Sequence, residues 1–269
     1  MTWWRRRYAR VGDDTLAGDS SLSIRPTPSR YRAPVRIATP PKSTARGLRK
    51  PEPAPTATAA PTRNPLRSPA AIARYVVEAD ASFAPVVKAA GSFAPREPSA
   101  DPFNALARAI AYQQLAGRAA AAIHGRFLAA FGTDLPAPAT VLATPVDTLR
   151  ACGLSGAKAA AIHNLALKFS DGTIPLERLN AMPDDEVVAR LSEVRGVGRW
   201  TAEMFLLFDL RRPDVWPVDD YGVRKGWAVI HGLETMPAPR ELTMLADSLR
   251  PHRSAAAWYC WRAVDTPTP

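Results

Sequence analysis

Apolar residues recur at helical spacing through most of the chain after residue 68, whereas the alternating patterns typical of strands are few. Leu106, Ile110 and Leu115 follow one another at such spacing, as do Ile162 and Leu165 further on. The pattern predicts helices at 70–78, 103 to about 116, 117–131, 146–152, 156–169, 184–194, 200–208 and 221–230, with a helical turn at 176–180.

Start signals support several of these helices. Ser68 followed by Pro69 is typical of an N-cap and a first helical residue, and Asp101 before a proline predicts the start of the second helix. Asp184 and Asp185 are expected to cap the helix that runs to about residue 194. Long helical patterns with few strand patterns predict an all-α fold.

The first 68 residues have a different composition. They hold 14 Lys and Arg against four acidic residues, and ten of the 27 prolines, with no sustained periodicity. We therefore expect a disordered, basic, proline-rich tail over 1–68 and one domain over 69–269. The Arg-rich start leaves organelle targeting open as an alternative, which Asp13, Asp14 and Asp19 weaken.

Composition excludes some classes of protein and shows that the net charge does not lie in the domain. Two cysteines cannot form a disulfide framework or a four-thiolate cluster, and no apolar run is long enough to span a membrane. An intracellular protein without a membrane partner is expected. The net charge of +10 lies in 1–68, because 69–269 holds 21 basic and 21 acidic side chains. No metal is expected, because the spacing of the four histidines does not suit metal ligands. They are His124, His163, His231 and His252.

One turn between two predicted helices carries candidate chemistry. Gly196 and Gly198 stand in a Gly-x-Gly turn before the helix that includes Trp200. Such glycines permit close backbone approach, and the N-terminal amides of the next helix suit a phosphate group. An ordinary helical hairpin with glycines at its turn is the alternative interpretation.

The sequence around this turn resembles the helix-hairpin-helix DNA glycosylase superfamily. Residues 196–202 read Gly-Val-Gly-Arg-Trp-Thr-Ala, and residues 214–220 read Asp-Val-Trp-Pro-Val-Asp-Asp. Segments 103–115, 153–158 and 251–261 agree as well, so the likeness covers roughly 70–265. Within the superfamily the sequence is most similar to the 3-methyladenine DNA glycosylase II branch in its compact form. The resemblance implies two helical subdomains that flank a cleft.

The resemblance implies a hydrolase that removes alkylated purines such as 3-methyladenine and 7-methylguanine from DNA in base excision repair. The branch places its catalytic carboxylate twenty residues after the hairpin tryptophan, which selects Asp220; related branches would place it on Asp219. An ionised carboxylate would stabilise the positive charge that develops on the deoxyribose as the base leaves. The same residue also suits the N-cap of the helix at 221–230.

The residue types of the predicted site imply further roles. Bifunctional relatives carry a lysine nucleophile where this chain has Trp200, so no abasic-site lyase activity is expected. Aromatic faces would stack on a cationic base, and the resemblance assigns this base pocket to Trp200, Tyr221, Trp261 and Tyr112. For Trp216 and Trp258, core packing and a place in the pocket are both open.

Base flipping requires a side chain that fills the vacated space, and the family takes it from the loop after the first conserved helix. Here the loop holds Gln113, Gln114 and Leu115, with Gln114 as the best candidate. The resemblance assigns DNA-backbone contacts to the hairpin residues Arg195, Gly196, Val197, Gly198, Arg199 and Thr201. Basic residues that are either phosphate or structural contacts are Lys158, Arg199, Arg224 and Arg253.

Two positions depart from the family pattern. Arg195 replaces the usual proline of the hairpin, and Met204 stands where the bacterial form has a pocket tyrosine. The turn geometry is therefore inferred, and the fine substrate preference stays open.

The expected partner is double-stranded DNA that contains a damaged base, bound by a monomer. No cofactor is expected to be required, although relatives hold a monovalent cation on the carbonyls of the hairpin turn. Two alternatives remain at this stage: a non-catalytic helix-hairpin-helix DNA-binding protein, and a glycosylase for another damaged base.

Overall fold

A computed structural model describes residues 68–95, 97–99, 101–115 and 117–265. The tail predicted over 1–68 lies outside these residues except for Ser68. The described part contains α-helices and short 3-10 helices and no strand. The α-helices are α1 (Pro69–Ala79), α2 (Ala84–Ala90), α3 (Pro102–Tyr112), α4 (Gly117–Phe131), α5 (Pro138–Ala143), α6 (Val146–Ala151), α7 (Gly156–Ser170), α8 (Asp184–Ser192), α9 (Arg199–Phe208), α10 (Tyr221–Ile230), α11 (Pro239–Leu245) and α12 (Arg253–Asp265). The 3-10 helices are Ala81–Phe83, Leu176–Arg178 and Asp247–Leu249.

The helices form two groups, which agrees with the expected pair of subdomains. In the first group α12 packs on α1, α2 and most extensively on α10. In the second group α7 packs on α3, α5 and α6, while α9 packs on α8 and α3. None of the helices in the described residues is long and apolar enough to cross a bilayer.

Helix starts agree with the sequence signals at Ser68 and Asp101. The Ser68 hydroxyl accepts a hydrogen bond from the Ala71 amide (3.2 Å) and Asp101 Oδ1 accepts one from the Asn104 amide (2.8 Å). The cap predicted at Asp184 and Asp185 is wrong, because both residues lie in the first turn of α8 after Pro183. Negative charge in a first turn still favours the helix through the exposed backbone N–H groups.

The predicted end of the second helix is also wrong, and the error has a structural cause. α3 ends at Tyr112 rather than near residue 116. Gln114 adopts a left-handed backbone with φ of 55°, which a continuing helix does not allow. Lys158 Nζ donates to the Ala111 carbonyl (2.9 Å) and to the Gln113 carbonyl (2.6 Å). A side chain 45 residues away thus satisfies carbonyls at the end of the helix, and local sequence does not show it.

The helix pattern missed further elements. No prediction covered α2, α5, α11 or α12, and the predicted helix at 184–194 ends two residues early, at Ser192. α2, α5 and α11 have six or seven residues each, which is too short for apolar periodicity to show. α12 is buried from Arg253 to Trp261, so it has no polar face to mark its period.

Candidate active site

The carboxylate of Asp220 is the centre of the site, and three N–H groups converge on it. Asp220 is 3% exposed. Its Oδ2 accepts a hydrogen bond from Trp200 Nε1 (2.7 Å). Its Oδ1 accepts two, from Trp261 Nε1 (2.8 Å) and from the backbone amide of Val223 (2.9 Å). All three contacts are donated to the carboxylate, so both of its oxygens act as hydrogen-bond acceptors.

Three elements place these groups. Asp220 is the N-cap of α10, so its side chain turns back onto the first amides of that helix. Trp200 lies in the first turn of α9 and Trp261 near the end of α12. The carboxylate therefore lies where the two groups of helices meet.

Gly222 makes room for one of the two indoles. A Cβ atom on this residue would lie 2.6 Å from Trp261 Cδ1 and 3.1 Å from Asp220 Oδ1. Glycine is therefore required for Trp261 to reach the carboxylate. Sequence reasoning missed this residue, although a glycine inside a predicted helix, two positions after the candidate carboxylate, is a signal that could have found it.

The alternative carboxylate has different surroundings. Asp219 is exposed, and no hydrogen bond of its side chain is found within the described part of the chain. Of the two neighbouring aspartates, Asp220 is the one that the structure surrounds with donors.

A narrow cleft lies between α3 and α9, and Asp220 contacts it through Trp200, because Asp220 itself does not line the cleft. Its lining includes two of the four residues predicted for the base pocket, Trp200 and Tyr112, together with Met204. Trp261 is buried behind the cleft, where it stacks on the lining residue Phe208 with ring centroids 5.7 Å apart. Tyr221 does not line the cleft and is 54% exposed at the start of α10.

A cation already covers the ring of Tyr112. The guanidinium carbon of Arg108 lies 4.3 Å from the ring centroid. Trp200 is half-buried, whereas Tyr112 is buried.

The two tryptophans whose place was left open belong to the core. Trp216 is buried and donates its Nε1 hydrogen to the Leu242 carbonyl (3.0 Å). Trp258 is 3% exposed and packs edge-on against Phe93.

The hairpin turn has the geometry expected of its glycines. Gly196 has φ of 77°, in the left-handed region, and Gly198 occupies the N-cap position of α9. The turn is held from α7, because Asn164 Oδ1 accepts the backbone N–H of Arg195 (2.9 Å). Asn164 was not predicted, and nothing local marks it. Val197 is buried, whereas the glycines and Arg195 are exposed.

The basic residues left open between phosphate and structural contacts all have partners inside the protein. Arg253 binds both carboxylate oxygens of Asp214 (2.7 and 2.8 Å). Arg224 donates to the Pro237 carbonyl (3.0 Å). Lys158 holds the end of α3, as described above. These contacts favour the structural interpretation for the three.

The fourth basic residue keeps a largely exposed side chain. Arg199 is 62% exposed and pairs with Glu203 Oε1 at 2.8 Å. Thr201, in the first turn of the same helix, is buried and lines the cleft. Burial raises the pKa of the Glu203 carboxyl, against the opposing effect of Arg199. The second oxygen of Glu203, Oε2, is buried and has no hydrogen-bond partner among the described residues.

The three residues of the predicted wedge differ in exposure. Gln113 is half-buried and donates its amide hydrogen to the Gly196 carbonyl (3.0 Å). Leu115 is half-buried and packs against the core. Gln114 is exposed. Of the three side chains, only that of Gln114 is exposed enough to project from the protein surface into a duplex.

Metal-binding groups do not cluster in the part of the chain that the structure describes. No group of three or more His, Cys, Asp or Glu side chains in these residues could hold an ion. Cys152 and Cys260 are buried, free thiols.

A glycine-containing helical hairpin followed by a buried carboxylate on the next helix defines the class of helix-hairpin-helix DNA repair proteins. A family model described as HhH-GPD superfamily base excision DNA repair protein matches residues 107–251. The chain belongs to this superfamily.

Named relatives and solved structures agree with this assignment. DNA-3-methyladenine glycosylase 1 of Schizosaccharomyces pombe is 34% identical over 68% of this chain and 82% of its own length. A structure of 3-methyladenine DNA glycosylase from the same yeast, in complex with abasic DNA, matches with a TM-score of 0.63 at 33% identity, over 71% of this chain and 94% of that one. A DNA-3-methyladenine glycosidase from Bacillus halodurans matches with a TM-score of 0.68 at 28% identity, over 75% and 91%.

Proposed function

We propose that this protein is a monofunctional DNA glycosylase of the 3-methyladenine DNA glycosylase II type. It would flip alkylated purines, of the 3-methyladenine and 7-methylguanine kind, out of duplex DNA and hydrolyse their N-glycosidic bond in base excision repair. Membership of the superfamily and the names of the relatives support this activity.

The Asp220 carboxylate is the single observation that carries the proposal. As the base departs, positive charge develops on the deoxyribose, and a fixed negative charge close by stabilises it. Oδ1 already accepts two hydrogen bonds and Oδ2 accepts one. We assign Oδ2 to the reacting sugar and the attacking water, because it retains more acceptor capacity.

Trp200 accounts for the expected absence of lyase activity. Strand cleavage by bifunctional glycosylases requires an amine that forms a Schiff base with the sugar. At the hairpin position that would carry it, this chain has an indole that donates to Asp220 instead. The expected product is an intact strand with an abasic site.

The half-buried Trp200 ring is the surface that we assign to the flipped base. Alkylated purine nucleosides are cationic, and a cation over an aromatic face gains about 0.5–2 kcal/mol. The Tyr112 face is occupied by Arg108, and Trp261 supports the pocket from behind. Stacking by Tyr112 or Tyr221 stays a prediction.

Contacts with the DNA backbone would come from the hairpin and from the N-terminus of α9. The exposed Gly196 and Gly198 allow a phosphate to approach backbone amides there. Gln114 would enter the duplex in place of the flipped base. Binding as a monomer stays part of the proposal.

We also propose that the hairpin carbonyls can hold a monovalent cation. The carbonyls of Val194 and Gly196 each accept one hydrogen bond at 3.0 Å, from the Val197 amide and from Gln113. A carbonyl oxygen has two lone pairs, so each retains one for an ion. Such an ion would fix the turn that faces the phosphates.

A comparison of two neighbouring aspartates tests the mechanism. Wild type, Asp220→Asn and Asp219→Asn are incubated with a duplex that contains 7-methylguanine, and the released base is measured in single turnover. Asparagine keeps the size and the N-cap of Asp220 but removes the charge. We expect excision by Asp220→Asn to fall roughly 10²-fold or more, while Asp219→Asn stays within about threefold of wild type.

Other outcomes would point elsewhere. A wild-type protein that binds the duplex but releases no base would be the non-catalytic DNA-binding alternative. Duplexes that contain hypoxanthine or 8-oxoguanine are tested in parallel. Release of either base, but not of 7-methylguanine, would indicate another damaged base as substrate. Strand breaks that appear before alkaline treatment would contradict the monofunctional assignment.

A further inference from the structure

The loop that follows α3, residues 113–115, is held in place by a side chain from another helix. Lys158, on the first turn of α7, directs its ammonium group onto the Ala111 and Gln113 carbonyls at 2.9 and 2.6 Å. Had α3 continued, the Ala111 carbonyl would have accepted the amide of Leu115, which instead approaches the Tyr112 carbonyl (3.4 Å). Lys158 therefore replaces the helical hydrogen bond at the residue where the loop begins.

The same loop is connected to the DNA-binding hairpin. The side-chain amide of Gln113 donates to the Gly196 carbonyl at 3.0 Å, at the left-handed residue of the hairpin turn. Gln113 thus receives a hydrogen bond from α7 through its carbonyl and gives one to the hairpin through its side chain. We call this chain of contacts, Lys158–Gln113–Gly196, the strap.

The strap explains an unusual backbone conformation. Gln114 has φ of 55°, which side chains with a Cβ rarely adopt unless their surroundings enforce it. The residue before it is fixed at its carbonyl and its side chain, and the residue after it packs against the core. The exposed Gln114 side chain therefore belongs to a loop whose residues on either side, Gln113 and Leu115, are fixed by contacts with the rest of the protein.

We propose that Lys158 is a positioning residue for base flipping: through Gln113 it sets the Gln114 side chain at a fixed distance from the hairpin that holds the DNA backbone. This inference rests on the proposed function, because it requires a duplex whose damaged base must be unstacked. A misplacement of about 1 Å caused by a substitution far from the chemistry can cost roughly 10²-fold in rate. Lys158 acts on the step that extrudes the base and not on the bond cleavage that follows.

The test compares a substrate whose damaged base is harder to flip with one whose damaged base is easier to flip. Both duplexes carry 7-methylguanine, opposite cytosine in the first and opposite a tetrahydrofuran abasic analogue in the second, where less pairing energy opposes extrusion. Single-turnover excision is measured for wild type, Lys158→Met and Lys158→Arg. The control is Lys168→Met. Lys168 lies on the same helix as Lys158, but its ammonium group contacts Glu193 (2.9 Å) and not the wedge loop.

We expect Lys158→Met to lose roughly 10–100-fold in excision opposite cytosine and to come within about fivefold of wild type opposite the abasic analogue. Its Kd for an undamaged duplex should stay within about threefold of wild type, and Lys158→Arg should recover part of the rate. Gln113→Leu, which removes the hairpin end of the strap, should show the same pattern more weakly. The Lys168→Met control should match wild type on both duplexes.

The outcomes separate this inference from the proposed function. If wild type excises 7-methylguanine and Lys158→Met is either fully active or equally impaired on both duplexes, the strap has no positioning role while the glycosylase stands. If Lys158→Met fails to fold, Gln113→Leu decides by the same comparison. If wild type excises neither substrate, the proposed function fails and the strap fails with it.

Discussion

At the scale of single residues, Gly222 shows how one missing methyl group allows the site to form. The indole of Trp261 occupies the space where a Cβ would be, and it donates a hydrogen bond to the carboxylate of Asp220. Substitution by alanine would usually favour a helix by up to about 1 kcal/mol. Here steric overlap with a buried indole opposes that gain.

We expect Gly222→Ala to lower excision of 7-methylguanine by roughly 10-fold or more, because a displaced Trp261 no longer donates to Asp220. Gly125→Ala is the matched control, since Gly125 is also inside a helix but has open space where its Cβ would be. The control should keep wild-type excision and gain about 0.5–1 kcal/mol in urea unfolding. Undiminished excision by Gly222→Ala would show that the Trp261 contact is dispensable.

Glu203 predicts a pH dependence of stability. Burial raises the pKa of this carboxyl in the folded protein above its usual value. The folded state therefore binds the proton more tightly than the unfolded state, and this contribution is present at acid pH and lost as the pH rises through the folded pKa.

Glu203→Gln, which imitates the protonated form, should therefore exceed wild type in Tm at pH 8, and the difference should shrink towards pH 4. Thermal unfolding followed by circular dichroism between these values tests it. An advantage that grows as the pH falls would have the wrong sign. Arg199, the partner of Glu203, remains largely exposed to water in the variant.

At the scale of elements, the close approach of α10 and α12 fixes the site between them. A Cβ on Gly226 would lie 2.0 Å from the Cys260 carbonyl oxygen, so the backbones of the two helices are in contact. α10 begins at the carboxylate and α12 carries Trp261. The spacing of these helices therefore sets the distance between the Asp220 carboxylate and the indole N–H of Trp261.

Gly226→Ala should push the helices apart and destabilise the protein by roughly 1–3 kcal/mol or more. Urea unfolding of this variant beside Gly125→Ala gives the comparison, since the two replacements are chemically identical. An unchanged midpoint for Gly226→Ala would contradict the close contact of the two backbones.

Sequence reasoning succeeded for helices whose period is visible, and it located α4 and α10 at their bounds. The motif spacing selected Asp220, which the structure places in hydrogen-bond contact with Trp200, while its catalytic role stays a prediction. Sequence reasoning failed where a distant side chain decides, as at the end of α3, which depends on Lys158. Helix periodicity and motif spacing are local properties, whereas such a contact joins residues that only the fold brings together.

At the scale of the whole molecule, the charge distribution separates two contributions to DNA binding. The part of the chain from residue 69 onward has equal numbers of acidic and basic side chains, and several of its arginines form ion pairs. Residues 1–68 carry the net charge of +10. Specific contacts would then come from the hairpin, and long-range attraction from the basic tail.

Removal of residues 1–67, which keeps the Ser68 cap of α1, should flatten the dependence of DNA affinity on salt concentration. Excision of 7-methylguanine in single turnover should stay within about threefold of the full chain. Binding isotherms from 50 to 300 mM salt measure the first effect. Loss of excision would contradict this division, and an unchanged salt slope would show that the tail does not contact DNA.

Asp220 is both the N-cap of α10 and the centre of the site, and this has an evolutionary consequence. Helix starts favour aspartate, asparagine, serine and threonine, whereas glutamate caps poorly. Selection for folding alone would therefore keep a short polar residue here after the chemistry had been lost. Aspartate and asparagine codons differ by one nucleotide, so under the proposed mechanism a single substitution would separate an active lineage from an inactive one with the same fold.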